Sequence, residues 1–185
     1  MNKRIIKGYL IGLVLAIVTI ISFFFVFTKK IEKITQKLDK EIEIPDFIEV
    51  VSKDAEIKLN RVSTNHNEIL QFNDNKIIFI NFWATWCRPC IEELPSIFEL
   101  IKNKSDKVDF YIISKEPNEE IKEFLDEKKI DTKMPFYSLT DSVNFLKHEG
   151  IPRTYIIKNN VIYLSSIGKT NWNHNKVNQF IEGLY

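Results

Sequence analysis

The stretch Lys76–Phe82, KIIFINF, constrains this chain most, because its apolar residues do not alternate with polar ones. A strand with one wet face alternates; a run apolar at nearly every position belongs to a strand covered on both faces. The segments C-terminal to it fit a layered fold. From Arg88 to about Lys102, Ile91, Leu94, Ile97, Phe98 and Ile101 form an apolar stripe at helical spacing. Val108–Ser114 is a second apolar strand, and Asn118–Lys129 a second helix with Ile121, Phe124 and Leu125 inward. Strands separated by helices pair in parallel through right-handed crossovers.

The pattern then changes. Asp141–His148 reads as a shorter helix. Arg153–Lys158 and Val161–Ile167 flank Asn159-Asn160, a pair that tolerates positive φ and suits a tight hairpin. A final helix is expected from about Asn173 to Leu184. Ahead of everything, Phe47–Val51 and Glu56–Val62 read as a leading pair of short strands. The expected class is α/β, a mixed central sheet flanked by helices. Residues 46–185 are enough to bury a core of that kind.

The N-terminal region has a different character. Gly8–Thr28, GYLIGLVLAIVTIISFFFVFT, carries no charge. As a helix at about 1.5 Å per residue it would cross the roughly 30 Å hydrocarbon core of a bilayer. A cleaved signal peptide would have a shorter apolar region ending at a small-x-small site. This run ends in Phe-Phe-Phe-Val-Phe-Thr and two lysines, so a retained single-span anchor is expected. Residues 1–7 are then a short tail and 29–45 a juxtamembrane stalk, with Ile31, Ile34, Leu38 and Ile42 at helical spacing until Pro45. Lys3, Arg4 and Lys7 face Lys29, Lys30, Lys33 and Lys37 across the span, so flanking charge does not orient it.

Charge excludes one class of function. With 26 basic and 25 acidic side chains and no basic block, nothing points to nucleic acid. No repeat of solenoid or propeller period is present. The 2 cysteines are too few for a disulfide scaffold or a self-contained zinc site.

Those cysteines stand in FINFWATWCRPCIEELP, where the buried strand gives way to the first helix. Cys87 ends the strand and Cys90 lies in the first helical turn. Free backbone amides and the helix dipole favour an anion there, so a Cys87 thiolate is stabilised. Arg88 adds a cation between the two thiols. Pro89 suits a first turn, where its missing N–H costs nothing. Cys90, one turn on, can close a disulfide with Cys87. Attack by Cys87 on a substrate disulfide would give a mixed disulfide that Cys90 resolves. Two alternatives remain open: a pair of inert buried thiols, or half a metal site completed by His66, His148 or His174, mostly as a Cu(I)-binding chaperone or assembly module.

The segment NFWATWCRPCIEELP resembles the active-site segment of the TlpA/ResA group of membrane-anchored thioredoxin-like proteins, through Trp83, Trp86, Cys87, Pro89, Cys90, Glu93 and Pro95. GIPRTYIIKNN is a second match: Pro152, after Ile151, stands where such proteins carry a cis-proline facing the cysteines. The resemblance covers about residues 45–185. It implies a thioredoxin fold and thiol–disulfide exchange outside the cytoplasm, through a redox-active Cys87–Cys90 disulfide and no other cofactor. It also orients the anchor, N-terminus inside and domain on the extracytoplasmic, or periplasmic, face of the cytoplasmic membrane. Implied partners are an exported protein disulfide substrate, in cytochrome c maturation or more broadly, and a membrane electron donor; a monomer is expected. Trp86, Arg88, Pro89, Ile151 and Pro152 would meet substrate, and Trp83 would support the site.

Thioredoxin itself has a buried aspartate where this chain has Asn81, so proton handling must come from elsewhere. Glu93 matches a glutamate that ResA-like proteins use. Its spacing of three from Cys90 puts both on one helical face. A carboxylate beside a thiol in a partly buried site raises both pKa values, so Cys90 would hold its proton at neutral pH while Cys87 loses its own. The plainer reading of Glu93, and the preferred one of Glu92, is a first-turn acid favourable to the helix dipole.

Overall fold

A computed structural model of the chain describes residues 16–29, 49–52, 55–72, 76–141, 143, 146 and 150–185. The chain divides into two units, Met1–Lys40 and Glu41–Tyr185. In the first, residues 16–29 form helix α1, whose apolar side chains are exposed, Phe23 at 73% and Phe24 at 67%. Among the described residues no helix is long and apolar enough to cross a membrane. The expected single transmembrane helix over 8–28 is therefore not shown: residues 8–15 lie outside the described residues, and the described helix alone is too short. The expected stalk also lies outside them beyond Lys29.

The second unit is a thioredoxin-like α/β domain. Its elements are β1 (Glu49–Val50), β2 (Glu56–Arg61), β3 (His66–Gln71), β4 (Ile77–Trp83), α2 (Arg88–Lys104), β5 (Val108–Ser114), α3 (Asn118–Glu127), β6 (Phe136–Leu139), β7 (Arg153–Lys158), β8 (Val161–Ile167) and α4 (Asn175–Glu182). The strands make one mixed sheet in the order β1-β8-β7-β4-β5-β6-β2-β3. β4, β5 and β6 run parallel, and every other neighbouring pair is antiparallel.

All of β4 is buried, as its composition demands. Ile77, Phe79 and Trp83 enter one apolar cluster, and Ile78, Ile80 and Phe82 the other. The period of two thus divides a uniformly apolar run between two cores. Leu94, Ile97 and Leu100 of α2, Ile121 and Leu125 of α3, and Val177 and Ile181 of α4 complete the first cluster. Ile57, Leu59 and Leu70 of the β2–β3 hairpin, with Val143 and Leu146, complete the second. Crossovers of one hand between consecutive parallel strands place α2 and α3 on the same face.

The expected hairpin forms, with Asn159 and Asn160 at φ 50° and 66°. The α2 stripe is rotated from expectation: Cys90, Glu93, Leu94, Ile97 and Leu100 are buried, while Ile91, Phe98 and Ile101 are half-buried at its flanks. Of the expected helix over Asp141–His148, only Asp141, Val143 and Leu146 are among the described residues.

Other elements depart from the sequence reading. The leading strands do not pair with one another. β1 pairs with β8, whereas β2 pairs with β3 and β6 toward the opposite edge. Two strands were not foreseen. In β3, HNEILQ, only Leu70 is buried, because an edge strand needs little apolar content. β6 has 4 residues and comes directly after Pro135, too short for a periodic signal.

Ile97, fully buried in the middle of α2, tests this packing. Ile97→Ala should lower unfolding stability by about 2–5 kcal/mol, measured by urea denaturation.

Candidate active site

The parallel strand β4 delivers its C-terminal end to the start of α2. Residues 84–86 form the turn between them, closed by Cys87 N–H donating to the Ala84 carbonyl at 3.1 Å. Cys87 is the N-cap of α2, with φ −83° and ψ 93°, and no side chain caps the helix. The amides of the first turn are thus directed toward the Cys87 side of the site. Pro89 stands in that first turn, as expected. Cys87 and Cys90 form a disulfide with S–S 2.03 Å. Cys90 is fully buried and Cys87 is 5% exposed, whereas Trp86 beside them is 75% exposed.

Glu93 is buried at 1% exposure, far deeper than the partly buried site expected of it. Because α2 begins at Arg88, Glu92 and Glu93 stand in its second turn, so neither is a first-turn acid. Neutral donors from separate elements hold the Glu93 carboxylate. Asn81 Nδ2 of β4 donates to Oε1 at 2.8 Å. The Thr170 amide and Trp172 Nε1, from the loop after β8, donate to Oε2 at 3.0 and 3.2 Å. Asn81 Nδ2 also donates to Thr154 Oγ1 of β7 at 2.9 Å. Burial pushes the Glu93 pKa up from 4.5 to about 7, against the lowering effect of these bonds. In this disulfide form neither sulfur is among the hydrogen-bond partners of Glu93. Asn81, unable to titrate, acts as a fixed donor.

At the rim, Arg88 is turned outward and donates to Glu92 Oε1 at 3.0 Å. Lys169 Nζ lies 2.8 Å from Glu92 Oε2. The Lys169 hydrogen bond, with that of Arg88, holds the Glu92 carboxyl below its ordinary pKa. Much of the cationic influence expected of Arg88 is therefore spent on Glu92.

Ile151–Pro152 is a cis peptide, and the Gly168 amide donates to the Pro152 carbonyl at 2.8 Å. Ile151 packs against the cluster containing both cysteines. With Trp86, Phe82, Ala84, Ile113 and Glu116 it lines a groove of about 210 Å³. The structure thus brings Trp86 and Ile151 to one groove and sets Arg88 apart on the outer side of α2. His66 opens β3, His174 caps α4 by accepting from the Lys176 amide at 3.3 Å, and His148 lies outside the described residues. Among the described residues no group of three His, Cys, Asp or Glu side chains is gathered for a metal.

Several residues of the site were not foreseen. Glu116 accepts from the Thr85 amide at 2.8 Å and from Thr85 Oγ1 at 2.5 Å, pinning the turn before the cysteines. Thr170 and Trp172 reach Glu93, and Thr154 reaches Asn81, only through folding. The one local signal was Trp172 itself, a large indole in the polar run Lys169–Lys176, where it is fully buried.

The burial of Glu93 has a thermodynamic consequence. Its folded pKa lies above its unfolded value, so between pH 4.5 and about 7 the folded state holds a proton that the unfolded chain has lost. The associated stability is complete below pH 4.5 and lost as pH rises through 7; at about 1.4 kcal/mol per unit it amounts to roughly 3 kcal/mol. Glu93→Gln should flatten the fall in stability across this window, read from urea midpoints at a series of pH values. An unchanged slope would refute the assignment.

Comparison with known proteins agrees with this architecture. The family model described as AhpC/TSA matches residues 44–163. The thiol-disulfide oxidoreductase ResA of Oceanobacillus iheyensis is 32% identical over 89 residues, covering 47% of this chain and 46% of that protein. The thioredoxin-like protein YneN of Bacillus subtilis is 46% identical over 39 residues, covering 21% of this chain and 23% of that protein. The matches thus span about half the length of these curated relatives or less. Among solved structures, a thiol:disulfide interchange protein from Bacteroides sp. superposes with TM-score 0.60 at 18% identity, over 73% of this chain and 91% of that one. A DsbF homologue from Corynebacterium diphtheriae gives 0.58 at 18%, over 76% and 92%. At such identities the likeness speaks for the fold, which is thioredoxin-like. With the model matched across most of the α/β domain, the chain belongs to the AhpC/TSA family.

Proposed function

We propose that this chain is a thiol–disulfide oxidoreductase that reduces disulfides in other proteins. The observation that carries this reading is the Cys87–Cys90 disulfide, closed across the first turn of α2 beside the exposed Trp86. The ResA and YneN likenesses support it.

Cys87 is the more exposed of the two cysteines and stands where helix amides favour an anion, so in the reduced chain it is the nucleophile. As a thiolate it attacks one sulfur of a substrate disulfide. A mixed disulfide forms and the other substrate sulfur leaves as thiolate. Cys90 then gives up its proton and attacks Cys87 Sγ. The Cys87–substrate bond breaks, the second substrate thiolate departs, and the disulfide of the structure remains. Two electrons have passed to the substrate, whose thiolates take up protons. Glu93, in the turn after Cys90, is the base proposed for the Cys90 proton. A base with a pKa near 7 is matched to that transfer.

The finer reading places the chain in the TlpA/ResA group, anchored by residues 8–28 with the domain on the outer face of the cytoplasmic membrane. Substrates are then exported proteins, and a membrane dithiol carrier restores the reduced state. The uncharged Gly8–Thr28 run supports the anchor, and the resemblance of NFWATWCRPCIEELP to the TlpA/ResA segment supports the side of the membrane.

The full chain in detergent should reduce insulin, and Cys87→Ser should abolish that activity; turnover surviving the substitution would sink the reading. Cys90→Ser should accumulate mixed disulfides whose partners identify the substrates. Glu93→Gln should slow turnover by about tenfold, lower the apparent pKa of Cys90 and remove the acid limb of the pH profile near 7. Reporter fusions after Lys30 should be active only outside the cytoplasm, and activity confined to the cytoplasm would refute the topology.

A further inference from the structure

Glu93 is held at two levels by one residue. The Trp172 indole N–H donates to Oε2 at 3.2 Å. Its backbone amide donates to Ser96 Oγ at 3.1 Å, and Ser96 Oγ in turn donates to the Glu93 carbonyl at 2.7 Å. Trp172 is fully buried, with its ring edge-on to Phe79 at 5.1 Å. The loop after β8 is thereby fastened to the turn of α2 that carries Glu93, side chain to side chain and backbone to backbone.

The two donors to Oε2 differ in kind. Any non-proline residue at position 170 supplies a backbone amide. A buried ring N–H at position 172 that only donates and does not titrate requires tryptophan, since a histidine ring also accepts or takes up a proton. An indole only donates, and its bond to a charged carboxylate is stronger than its bond to the carbonyl oxygen of the neutral acid, so it favours the ionised form.

We propose that Trp172 is a positioning residue for the thiol–disulfide exchange, holding the Glu93 carboxylate in place and favouring its ionised, proton-accepting form. This rests on the exchange reading of the cysteine pair. Lys169 acts on Glu93 only through its charge at a distance, and the direct contacts are neutral donors. Lys169, on the same loop, is drawn to Glu92, as is Arg88 on α2. On α2 the neighbouring cysteines are joined in a disulfide and Glu92 is paired outward, while β4 and β7 present the neutral Asn81 and Thr154. Besides the attraction of the Lys169 charge, the charged state of Glu93 depends on N–H groups directed at it, and Trp172 supplies one that ends in a side chain.

The test uses the full chain in detergent, labelled with nitrogen-15 and carbon-13. In the parent, the Trp172 indole N–H resonance should shift with pH in step with the Glu93 carboxyl carbon, and Glu93→Gln should abolish that shift. Trp172→Phe keeps a ring against Phe79 and removes the N–H. It should move the Glu93 midpoint up by about one pH unit and the acid limb of kcat with it, leaving KM unchanged. An indole resonance that stays still while Glu93 titrates overturns the proposal, and so does a Trp172→Phe variant with the parent's midpoint and pH profile. If Trp172→Phe fails to fold, the indole titration of the parent decides alone. The carboxyl titration needs no turnover, so a parent lacking insulin reduction refutes the exchange reading while the resonances still judge the Trp172–Glu93 contact.

Discussion

The domain is organised by the demand that β4 be dry on both faces. A strand with every residue buried cannot sit at an edge or against solvent, so it takes the interior of the sheet between β7 and β5. Helices α2, α3 and α4 cover one face, and the β2–β3 hairpin with Val143 and Leu146 covers the other. The direction of β4 then decides where chemistry can occur. Its C-terminal end meets the N-terminus of α2, a place where backbone amides lack partners. The cysteines stand at that junction, and Glu116 fixes the turn leading into it through Thr85.

The same packing places a carboxylic acid where it is costly to ionise. Glu93 lies on the buried stripe of α2, among leucines and isoleucines, rather than on its wet face. Donors from β4 and from the loop after β8 reduce the cost of its charge without cancelling it, so its pKa settles near 7. A carboxyl balanced in this way responds to small changes in its donors. Segments far apart in sequence must all be in register for the balance to hold, so the proton chemistry of the site reports on the integrity of the domain.

Recognition and chemistry are separated in depth. Trp86 is largely exposed beside a nearly covered disulfide, and Ile151 borders the same groove. Arg88 and Lys169 share the Glu92 carboxylate along the outer side of α2, which leaves a net positive charge there. The surface around the sulfurs is thus apolar on the groove side and charged on the helix side. In the proposed exchange, partners would meet Trp86 and Ile151 while electrons and protons move a layer below.

Sequence alone determined what depends on local pattern. The uniform apolarity of KIIFINF required a buried strand, the stripe after it a helix, and Asn159-Asn160 a tight hairpin. Two cysteines three apart at a strand–helix junction pointed to a redox pair, and the family resemblance of GIPRTYIIKNN implied a cis bond at Ile151–Pro152. What escaped it lacked periodic signal: β3 is an edge strand with little to bury, β6 is too short, and β1 and β2 looked like partners because only adjacency spoke for pairing. Tertiary structure alone decided the state of Glu93. Its depth results from the rotation of α2 against the sheet, and its donors come from residues more than seventy positions downstream as well as from β4. A carboxylate's pKa is set by the water it loses and the dipoles it gains, and both exist only once the chain has closed around it.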